Sequence, residues 1–397
     1  MAKYSKLIFP SLALVLLIAL GTGQNYLQQN SSAASGERAV PHFEVDPFWP
    51  QPLPNHWLLG RTIGVAVDAR DHVYIVHRDT DNMFMSQELG LDRGTAECCT
   101  AAPPILEFDQ AGNLINAWGG PVEGSPYVWP ESNHGIEVAP NGDIWIGGNG
   151  NADSHILVFT RDGSYVRTIG EPGNLPDSNA TNHFSRVAEI AMDPNSDEVY
   201  IADGYGNRRV AVVDYATGAL KRYWGAYGNR PDDDADNTYR PGAPLPQQFR
   251  PPVHCAEPSL DGLIYVCDRG ADRIQVFRPD GTFVKEALIA PATLSGSAWD
   301  IAFSKDSAQE FIYLADGSNH KVHVIDRESL QVLYTFGDGG RQPGLFFGTH
   351  SIVTDSDGNL YTTETYEGKR VQKFIYRGLM PLRNAAPGAP WPASALN

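Results

Sequence analysis

The sequence lacks the features that would mark a nucleic-acid-binding protein, a helical protein or a multispanning membrane protein. Its 397 residues carry a formal charge of −17, and the lysines and arginines are scattered singly instead of forming a basic stripe. Nucleic acid binding requires such a stripe, so we expect no nucleic acid partner. Few stretches show a helical period. The one long apolar stretch, Leu7–Leu20, is interrupted by Pro10 and is too short for a comfortable membrane span.

The N-terminus has the layout of an export signal. Lys3 and Lys6 precede the apolar stretch, and a polar segment rich in small residues follows it. We therefore predict a signal peptide or N-terminal anchor over residues 1–22, a linker over 23–42, and an exported protein, periplasmic or secreted. Cleavage and retention as an anchor both remain open, and no other membrane contact is expected.

Cysteine is scarce, and the four residues present suit an oxidising compartment. Cys255 and Cys267 fall on neighbouring strands of one predicted hairpin, so a cross-strand disulfide is sterically reasonable. Cys98 and Cys99 are adjacent in a loop insertion. The sequence allows them either to bridge each other or to remain free.

Glycine and proline are abundant, at 39 and 29 residues, which favours many short strands joined by tight turns. Six segments share an alternating apolar strand, an Asp/Asn/Gly turn and a second strand with an aromatic residue near its start; they begin at Ile63, His134, Ala188, His254, Trp299 and His350. Strand-only repeats of this length are typical of propeller blades. The fold prediction is therefore all-β, a six-bladed β-propeller of NHL-type repeats over residues 43–378.

The two ends of the chain are predicted to close the ring. The first five repeats continue into third and fourth strands, whereas the sixth stops after RVQKFIYRG. The stretch from Phe43 to Phe48 is the simplest source of the missing outer strand, because it would leave no exposed edge. Residues 379–397 are rich in proline and alanine and are predicted to form a surface tail.

Three histidines occupy one repeat position in alternate blades. His134, His254 and His350 each lie eleven residues before the aromatic residue of the second strand. The first strand of a blade lines the central channel, so these side chains should converge on the axis with threefold symmetry. Three imidazoles with a fourth position open are the ligands of a catalytic Zn²⁺ site. The alternative is that duplication copied a structural histidine. The equivalent residues of the other blades, which cannot supply a side-chain ligand, are Ile63, Ala188 and Trp299.

The residues directly after each second strand should emerge on the same face as the histidines, because the first two strands of a blade are antiparallel. This rim consists of Arg78, Asn149, Tyr205, Arg269, Ser318 and Tyr366. We predict Tyr205 and Arg78 as the catalytic pair, since a nearby arginine lowers the pKa of a phenol and makes it usable as a general base. Four acids recur just before this rim and are predicted to stabilise the blades: Asp203, Asp268, Asp316 and Glu364.

Several short motifs, in order and at blade spacing, resemble those of the peptidyl-α-hydroxyglycine α-amidating lyases. They are His77-Arg78, the NHG from Asn133, the DGYGNRR from Asp203, the VHC from Val253 and the THS from Thr349. The resemblance spans Val45 to Arg377. It implies a six-bladed propeller that cleaves a C-terminal α-hydroxyglycine to a peptide amide and glyoxylate. It also implies zinc on the three histidines and catalysis by Tyr205 and Arg78.

The resemblance is incomplete in the channel. The family has a calcium ion bound by backbone carbonyls, which match Val65 and Ile136, and by an aspartate after the third histidine, where this chain has Ser351. A hydroxyl is a poorer Ca²⁺ ligand than a carboxylate. The family's disulfide beside the catalytic tyrosine is missing as well, with Gly206 in its place. We expect a separate copper monooxygenase to supply any hydroxylated substrate.

Two other functions fit parts of the same pattern. One is a lactonase or esterase propeller with a central calcium, and the other is a non-catalytic NHL-repeat scaffold. About one zinc per chain would favour the lyase, calcium alone the lactonase, and neither metal the scaffold. Acyl-side selectivity is expected in two long loops, Asp79 to Pro104 and Tyr227 to Pro246.

Overall fold

Six four-stranded antiparallel sheets surround one axis in the computed structural model of the chain. The structure describes residues 38–78, 97–236 and 238–382. In five of the sheets the strands follow chain order from the channel outward, whereas the sixth sheet takes its outermost strand from the N-terminal end of the described chain. The first strands of neighbouring sheets contact one another. The predicted six-bladed propeller is therefore confirmed.

The first half of the chain forms an outer strand, a short strand and the first three blades. The outer strand is β1 (Ala39–Asp46), and the short strand is β2 (Trp57–Leu58). Blade 1 contains β3 (Arg61–Val67), β4 (Val73–Arg78), β6 (Ile105–Phe108) and β7 (Leu114–Trp118), with β5 (Thr100–Ala101) pairing in parallel with β2. Blade 2 contains β8 (Asn133–Val138), β9 (Ile144–Gly148), β10 (His155–Phe159) and β11 (Tyr165–Gly170). Blade 3 contains β12 (Glu189–Met192), β13 (Glu198–Asp203), β14 (Arg209–Asp214) and β15 (Leu220–Trp224).

The second half forms blades 4 to 6. Blade 4 contains β16 (Val253–Pro258), β17 (Ile264–Asp268), β18 (Arg273–Phe277) and β19 (Phe283–Leu288). Blade 5 contains β20 (Asp300–Phe303), β21 (Phe311–Asp316), β22 (Lys321–Asp326) and β23 (Val332–Phe336). Blade 6 contains β24 (Thr349–Thr354), β25 (Leu360–Glu364) and β26 (Arg370–Pro381). Two 3-10 turns, Ala226–Gly228 and Arg269–Ala271, complete the regular secondary structure of the described residues.

The strand β1 completes blade 6 and closes the ring. It pairs antiparallel with β26, with Phe43 opposite Tyr376 and Val45 opposite Phe374. This confirms the predicted closure by an N-terminal strand. The strand begins at Ala39, ahead of the predicted boundary at residue 43, because Ala39–Pro41 also pair with the end of β26.

An apolar cluster fills each interface between neighbouring blades. The cluster between blades 3 and 4, for example, joins Tyr200 and Val212 to Val253 and Val266, all of them buried. Stacking of sheet faces thus supplies the core. Ion pairs within single blades accompany these clusters. Three of the four recurring acids pair with the arginine that opens the following strand: Asp203 with Arg209 at 2.8 Å, Asp268 with Arg273 at 2.7 Å, and Glu364 with Arg370 at 2.6 Å. The fourth, Asp316, pairs at 3.0 Å with His323, the third residue of β22.

Both cysteine pairs form disulfides. Cys255 and Cys267 face each other across β16 and β17, as predicted, and Cys98 bonds to its neighbour Cys99. Within the described residues, no helix is long and apolar enough to span a membrane. The predicted signal segment 1–22 lies outside the described residues, as do most of the loop from Asp79 and the tail from residue 383.

Candidate metal centre and active site

Each of the three histidines lies on a β-bulge at the start of a channel strand. The register between the first and second strands slips by one residue between Asn133 and Ile136, between Val253 and Cys255, and between Thr349 and Ile352. A bulge bends the strand and redirects a side chain. The bulges therefore belong to the local structure that turns the imidazoles toward the axis.

The three imidazoles are held in the same way. The Nδ1 atom of His134 lies 2.6 Å from the carbonyl oxygen of Ala188, and that of His254 lies 2.5 Å from the carbonyl oxygen of Trp299. The Nδ1 atom of His350 lies 2.9 Å from the carbonyl oxygen of Ile63. A carbonyl oxygen only accepts, so each Nδ1 carries the hydrogen and each Nε2 presents a lone pair. The residues in the equivalent positions of the next blades thus support the histidines through their backbones.

The Nε2 atoms converge on the axis. One ligand nitrogen from each of the three histidines lies within 4.8 Å of the other two, and all three residues are at least 97% buried. Burial is the main cause that lowers the pKa of each imidazole well below its usual value, and the nearby positive charge of Arg269 adds to it. The rings are therefore neutral at neutral pH, which is the form that binds metal.

Tyr205 completes this cluster. Its hydroxyl lies 3.1 Å from Nε2 of His134 and 3.0 Å from Nε2 of His254. The phenol has one hydrogen to donate, so it satisfies at most one of the three imidazole lone pairs. Three neutral imidazole acceptors that face one point suit a cation such as Zn²⁺, whose nitrogen ligands lie at about 2.0–2.1 Å. The donor set fits the implied metal.

Arg269 hydrogen-bonds to the phenol of Tyr205. Its Nη1 atom donates to the Tyr205 hydroxyl at 3.2 Å. Arg78, the predicted partner, donates through Nη2 to Oδ1 of Asn149 at 2.8 Å and through Nε to the carbonyl oxygen of Asn133 at 3.2 Å. Arg269 belongs to the predicted rim, whereas the predicted catalytic arginine is Arg78. The sequence feature that could have identified Arg269 is its position, because it follows the second strand of blade 4 just as Arg78 ends the second strand of blade 1.

The pKa of Tyr205 does not move in the direction predicted from the sequence. Burial raises the pKa of the phenol, and the positive charges of Arg269 and Arg78 only partly offset this effect. Desolvation of the ionised form therefore outweighs the two arginines. Arg78 does lie close enough to contribute its charge, so the structure brings both arginines to the tyrosine.

The remaining rim residues surround the same cluster. The Ser318 hydroxyl accepts a hydrogen bond from Nε1 of Trp299 at 3.3 Å, and the ring of Tyr366 packs edge-on against the same indole. The guanidinium of Arg269 lies over the Trp299 ring, 3.5 Å from its centroid. Ser318 and Tyr366 thus contact Trp299, whose ring packs near His254 and His350. Asn149 contacts Arg78.

The channel beyond the histidines holds an acidic cavity of about 400 Å³. Val65 and Ile136, the residues matched to the calcium carbonyls, line it together with four acids: Glu137, Glu189, Glu257 and Asp300. Asp300 follows Trp299 just as Ser351 follows His350, and its Oδ2 accepts a hydrogen bond at 2.9 Å from the backbone N–H of Ile352, the neighbour of Ser351. The carboxylate missing from blade 6 is therefore present at the same register in blade 5. Calcium binding here stays a prediction.

Sequence comparisons connect the chain to propellers of more than one activity. The family model described as "Lactonase, 7-bladed beta-propeller" matches residues 174–339. The rat peptidylglycine alpha-amidating monooxygenase is 25% identical over 82% of this chain and 31% of its own length. The mouse NHL repeat-containing protein 3 is 24% identical over 74% of this chain and 70% of its own length. The chain thus spans about a third of the length of the monooxygenase.

Solved structures share the propeller fold. A streptogramin B lyase superposes with a TM-score of 0.51 at 13% identity, over 84% of this chain and 98% of its own. A Bacteroides thetaiotaomicron protein of unknown function gives a TM-score of 0.52 at 13% identity, over 85% of this chain and 77% of its own. These similarities support the fold alone. The sequence comparisons relate the propeller to those of amidating monooxygenases and NHL-repeat proteins, and the lactonase match keeps a second activity open.

Proposed function

We propose that the protein is a zinc-dependent lyase that cleaves the C–N bond of a C-terminal α-hydroxyglycine, or of a related N-acyl carbinolamide, to an amide and glyoxylate. One observation carries the proposal: three imidazoles of one tautomer converge beside a tyrosine that an arginine contacts. His134, His254 and His350 would hold the zinc. The similarity to an amidating monooxygenase supports the same activity.

The substrate's carboxylate would bind to Arg78, beside a second arginine, Arg269. The protein carries a formal charge of −17, yet Arg78 and Arg269 both lie at this site and both act on the pKa of His134. Guanidinium groups bind carboxylates through paired hydrogen bonds. Arg78, which Asn149 already orients, is suited to the carboxylate, while Arg269 stays with the phenol.

Tyr205 acts as the general base. As the phenolate it takes the proton of the substrate hydroxyl, the electrons of the O–H bond form the new carbonyl, and the C–N bond breaks. The amide nitrogen takes the proton back from Tyr205, so neither water nor an oxidant is consumed. The chemistry that a bound zinc ion supplies is that of a Lewis acid, which polarises the substrate oxygens and adds positive charge beside the phenol.

The proposed reaction consumes an α-hydroxyglycine and does not form one. An α-hydroxyglycine arises by hydroxylation of a C-terminal glycine, so a separate copper monooxygenase is the proposed supplier. The two disulfides suit an exported protein that meets this substrate in the periplasm or outside the cell.

An assay of glyoxylate release from an N-acyl α-hydroxyglycine tests the proposal. The purified protein should hold about one zinc per chain and release glyoxylate. Tyr205→Phe should keep the zinc and lose at least about a hundredfold in kcat, because its general base is gone. His254→Ala should lose both zinc and turnover. His155→Ala is the matched control, since His155 is equally buried but bonds to the carbonyl oxygen of Val128, away from the cluster.

Equal glyoxylate release by all four proteins would exclude the mechanism. The family-model match over residues 174–339 gives the lactonase alternative a specific basis. Lactone hydrolysis that depends on calcium and is unaffected by His254→Ala would favour that alternative. A protein without metal and without either activity would be a binding scaffold, as the similarity to NHL repeat-containing protein 3 allows.

A further inference from the structure

Trp299 lies at the repeat position that the histidines occupy in alternate blades, and it is only 2% exposed. It directly precedes β20, and its ring packs near His254, with ring centroids 5.6 Å apart, and near His350, at 5.4 Å. A tryptophan at this position supplies no metal ligand through its side chain. Its contacts show another role.

The face of the indole carries the guanidinium of Arg269. The guanidinium carbon lies 3.5 Å from the ring centroid, which is stacking distance for a cation on an aromatic ring. From this position Arg269 donates to the Tyr205 hydroxyl at 3.2 Å and, through Nε, to the carbonyl oxygen of Ser295 at 3.3 Å. The guanidinium therefore lies between the indole face, the carbonyl oxygen of Ser295 and the Tyr205 hydroxyl.

The indole itself is fixed on its other sides. Its Nε1 atom donates to the carbonyl oxygen of Gly296 at 2.8 Å and to the hydroxyl of Ser318. Gly317 leaves room for the ring, because a Cβ there would lie 2.8 Å from two indole carbons. Ser318 in turn donates to the carbonyl oxygen of Gly296 at 2.6 Å. These groups hold the ring in one orientation.

The same residue supports a histidine, but through its backbone. The carbonyl oxygen of Trp299 accepts the hydrogen bond from Nδ1 of His254. A substitution of the side chain keeps this carbonyl group. The indole's effect on Arg269 is thus experimentally separable from the backbone's effect on the histidine.

We infer that Trp299 is a positioning residue, whose indole face holds the Arg269 guanidinium against the phenol oxygen of Tyr205. The inference rests on the proposed lyase function for its catalytic consequence. The contact between Trp299 and Arg269 does not depend on that function, because it is observed in the geometry of the described residues.

A double-mutant cycle between Trp299→Leu and Arg269→Ala tests the inference. Trp299→Leu should lower kcat roughly ten- to hundredfold, with a smaller effect on KM, because a misplaced arginine is costly in the transition state. Its zinc content should equal that of the parent. In the Arg269→Ala background the same substitution should change kcat less than about twofold, since the group it positions is already absent. Similar losses in both backgrounds, or loss of zinc, would overturn the inference.

Two further variants separate positioning from general stability. Trp299→Phe keeps an aromatic face and should retain more kcat than Trp299→Leu; equal losses would count against stacking. Trp145→Leu is the matched control, because Trp145 is fully buried in blade 2, where it stacks on Tyr215. It should lower the melting temperature and leave the kcat of the folded protein within about twofold of the parent.

Failure of the lyase proposal gives a distinct result. If the zinc-loaded parent releases no glyoxylate, the proposed function fails. The contact between Trp299 and Arg269 is then tested by thermal unfolding of the parent, Trp299→Leu, Arg269→Ala and the double variant. Melting-temperature losses of Trp299→Leu and Arg269→Ala that are less than additive in the double variant support the stacked pair. Additive losses overturn it.

Discussion

At the scale of single residues, the site is organised by backbone carbonyls that face imidazoles. Ala188, Trp299 and Ile63 contribute no side-chain ligand, yet each fixes the tautomer of a histidine in the preceding blade. A protonated Nδ1 leaves Nε2 as the only lone pair, so the three rings present identical donors to one point. Alternate blades therefore supply the histidine side chains, and the blades between them supply the backbone carbonyl groups that orient those side chains.

The two arginines are predicted to contribute unequally to the ionisation of Tyr205. The positive charge of Arg269 opposes the burial effect on the phenol pKa more than that of Arg78 does. Arg269→Gln should therefore raise the pKa of Tyr205 more than Arg78→Gln, since losing a positive charge favours the neutral phenol. If the phenolate is the base, kcat/KM rises with pH to a plateau, and its midpoint should move upward in the same order.

A profile of kcat/KM against pH for the three proteins measures this shift. Arg222→Gln is the control, because Arg222 pairs with Glu198 on the outer part of blade 3 and should leave the midpoint unchanged. A midpoint that stays constant in Arg269→Gln would show that Tyr205 does not titrate as the base.

At the scale of elements, two channel strands, β8 and β16, carry a histidine near their start and a glutamate three residues later, and two others, β12 and β20, begin with an acid. Glu137 lies three residues after His134 on β8, where burial is the main cause that raises the pKa of its carboxyl to about 8. The positive charge of Lys305 opposes this shift, and the negative charge of Asp300 adds to it. The channel strands therefore combine a neutral imidazole cluster with a group of carboxyls that ionise with difficulty.

Glu137 should make the metal-free propeller less stable as the pH rises. Below about pH 4.5 the carboxyl is protonated in both states, so Glu137→Gln should change little. Between about pH 4.5 and 8 the unfolded chain ionises this group while the folded protein keeps it protonated, and the parent loses stability relative to the variant. At pH 9 the glutamine variant should be more stable by on the order of 2 kcal/mol.

Urea unfolding at pH 4.5 and pH 9, in the presence of a chelator, measures this difference. Glu123→Gln is the control, because Glu123 is exposed and its substitution should be neutral at both pH values. Equal stability of the parent and Glu137→Gln at pH 9 would mean that the carboxyl ionises freely in the folded channel.

The sequence predicts elements better than it predicts contacts between side chains. Alternating apolar residues and Asp-Gly turns define the strands locally, so the strands are predictable from the sequence. The repeat then places His134 and its two equivalents at symmetric positions, so the histidine cluster is predictable as well. Which arginine meets Tyr205 depends on how far the side chains reach across a rim. Arg78 turns toward Asn149 and Arg269 stacks on Trp299, and no spacing rule distinguishes the two.

At the scale of the whole molecule, the ring is closed by strands from opposite ends of the chain. Blade 6 takes its three inner strands from the C-terminal part and its outer strand from Ala39–Asp46. An unclosed blade would expose the edge of β26, which could pair with other chains. Closure also buries the aromatic side of β1 against blades 5 and 6, so the stability of the ring should depend on this strand.

Phe43 is the residue on which this dependence can be tested. Its ring lies 5.2 Å from that of Tyr313 and 5.6 Å from that of Phe336, and it is 2% exposed. Phe43→Ala should lower the free energy of unfolding by about 3 kcal/mol, because it leaves a cavity between blades 5 and 6. Phe48→Ala is the matched control: Phe48 is 72% exposed, so its loss should cost less than about 0.5 kcal/mol. Chemical unfolding followed by tryptophan fluorescence compares the two. Equal stabilities of the two variants would show that the ring does not depend on β1. A loss of stability confined to Phe43→Ala, with zinc content unchanged below the unfolding transition, would show that the substitution weakens ring closure and does not disturb the metal centre.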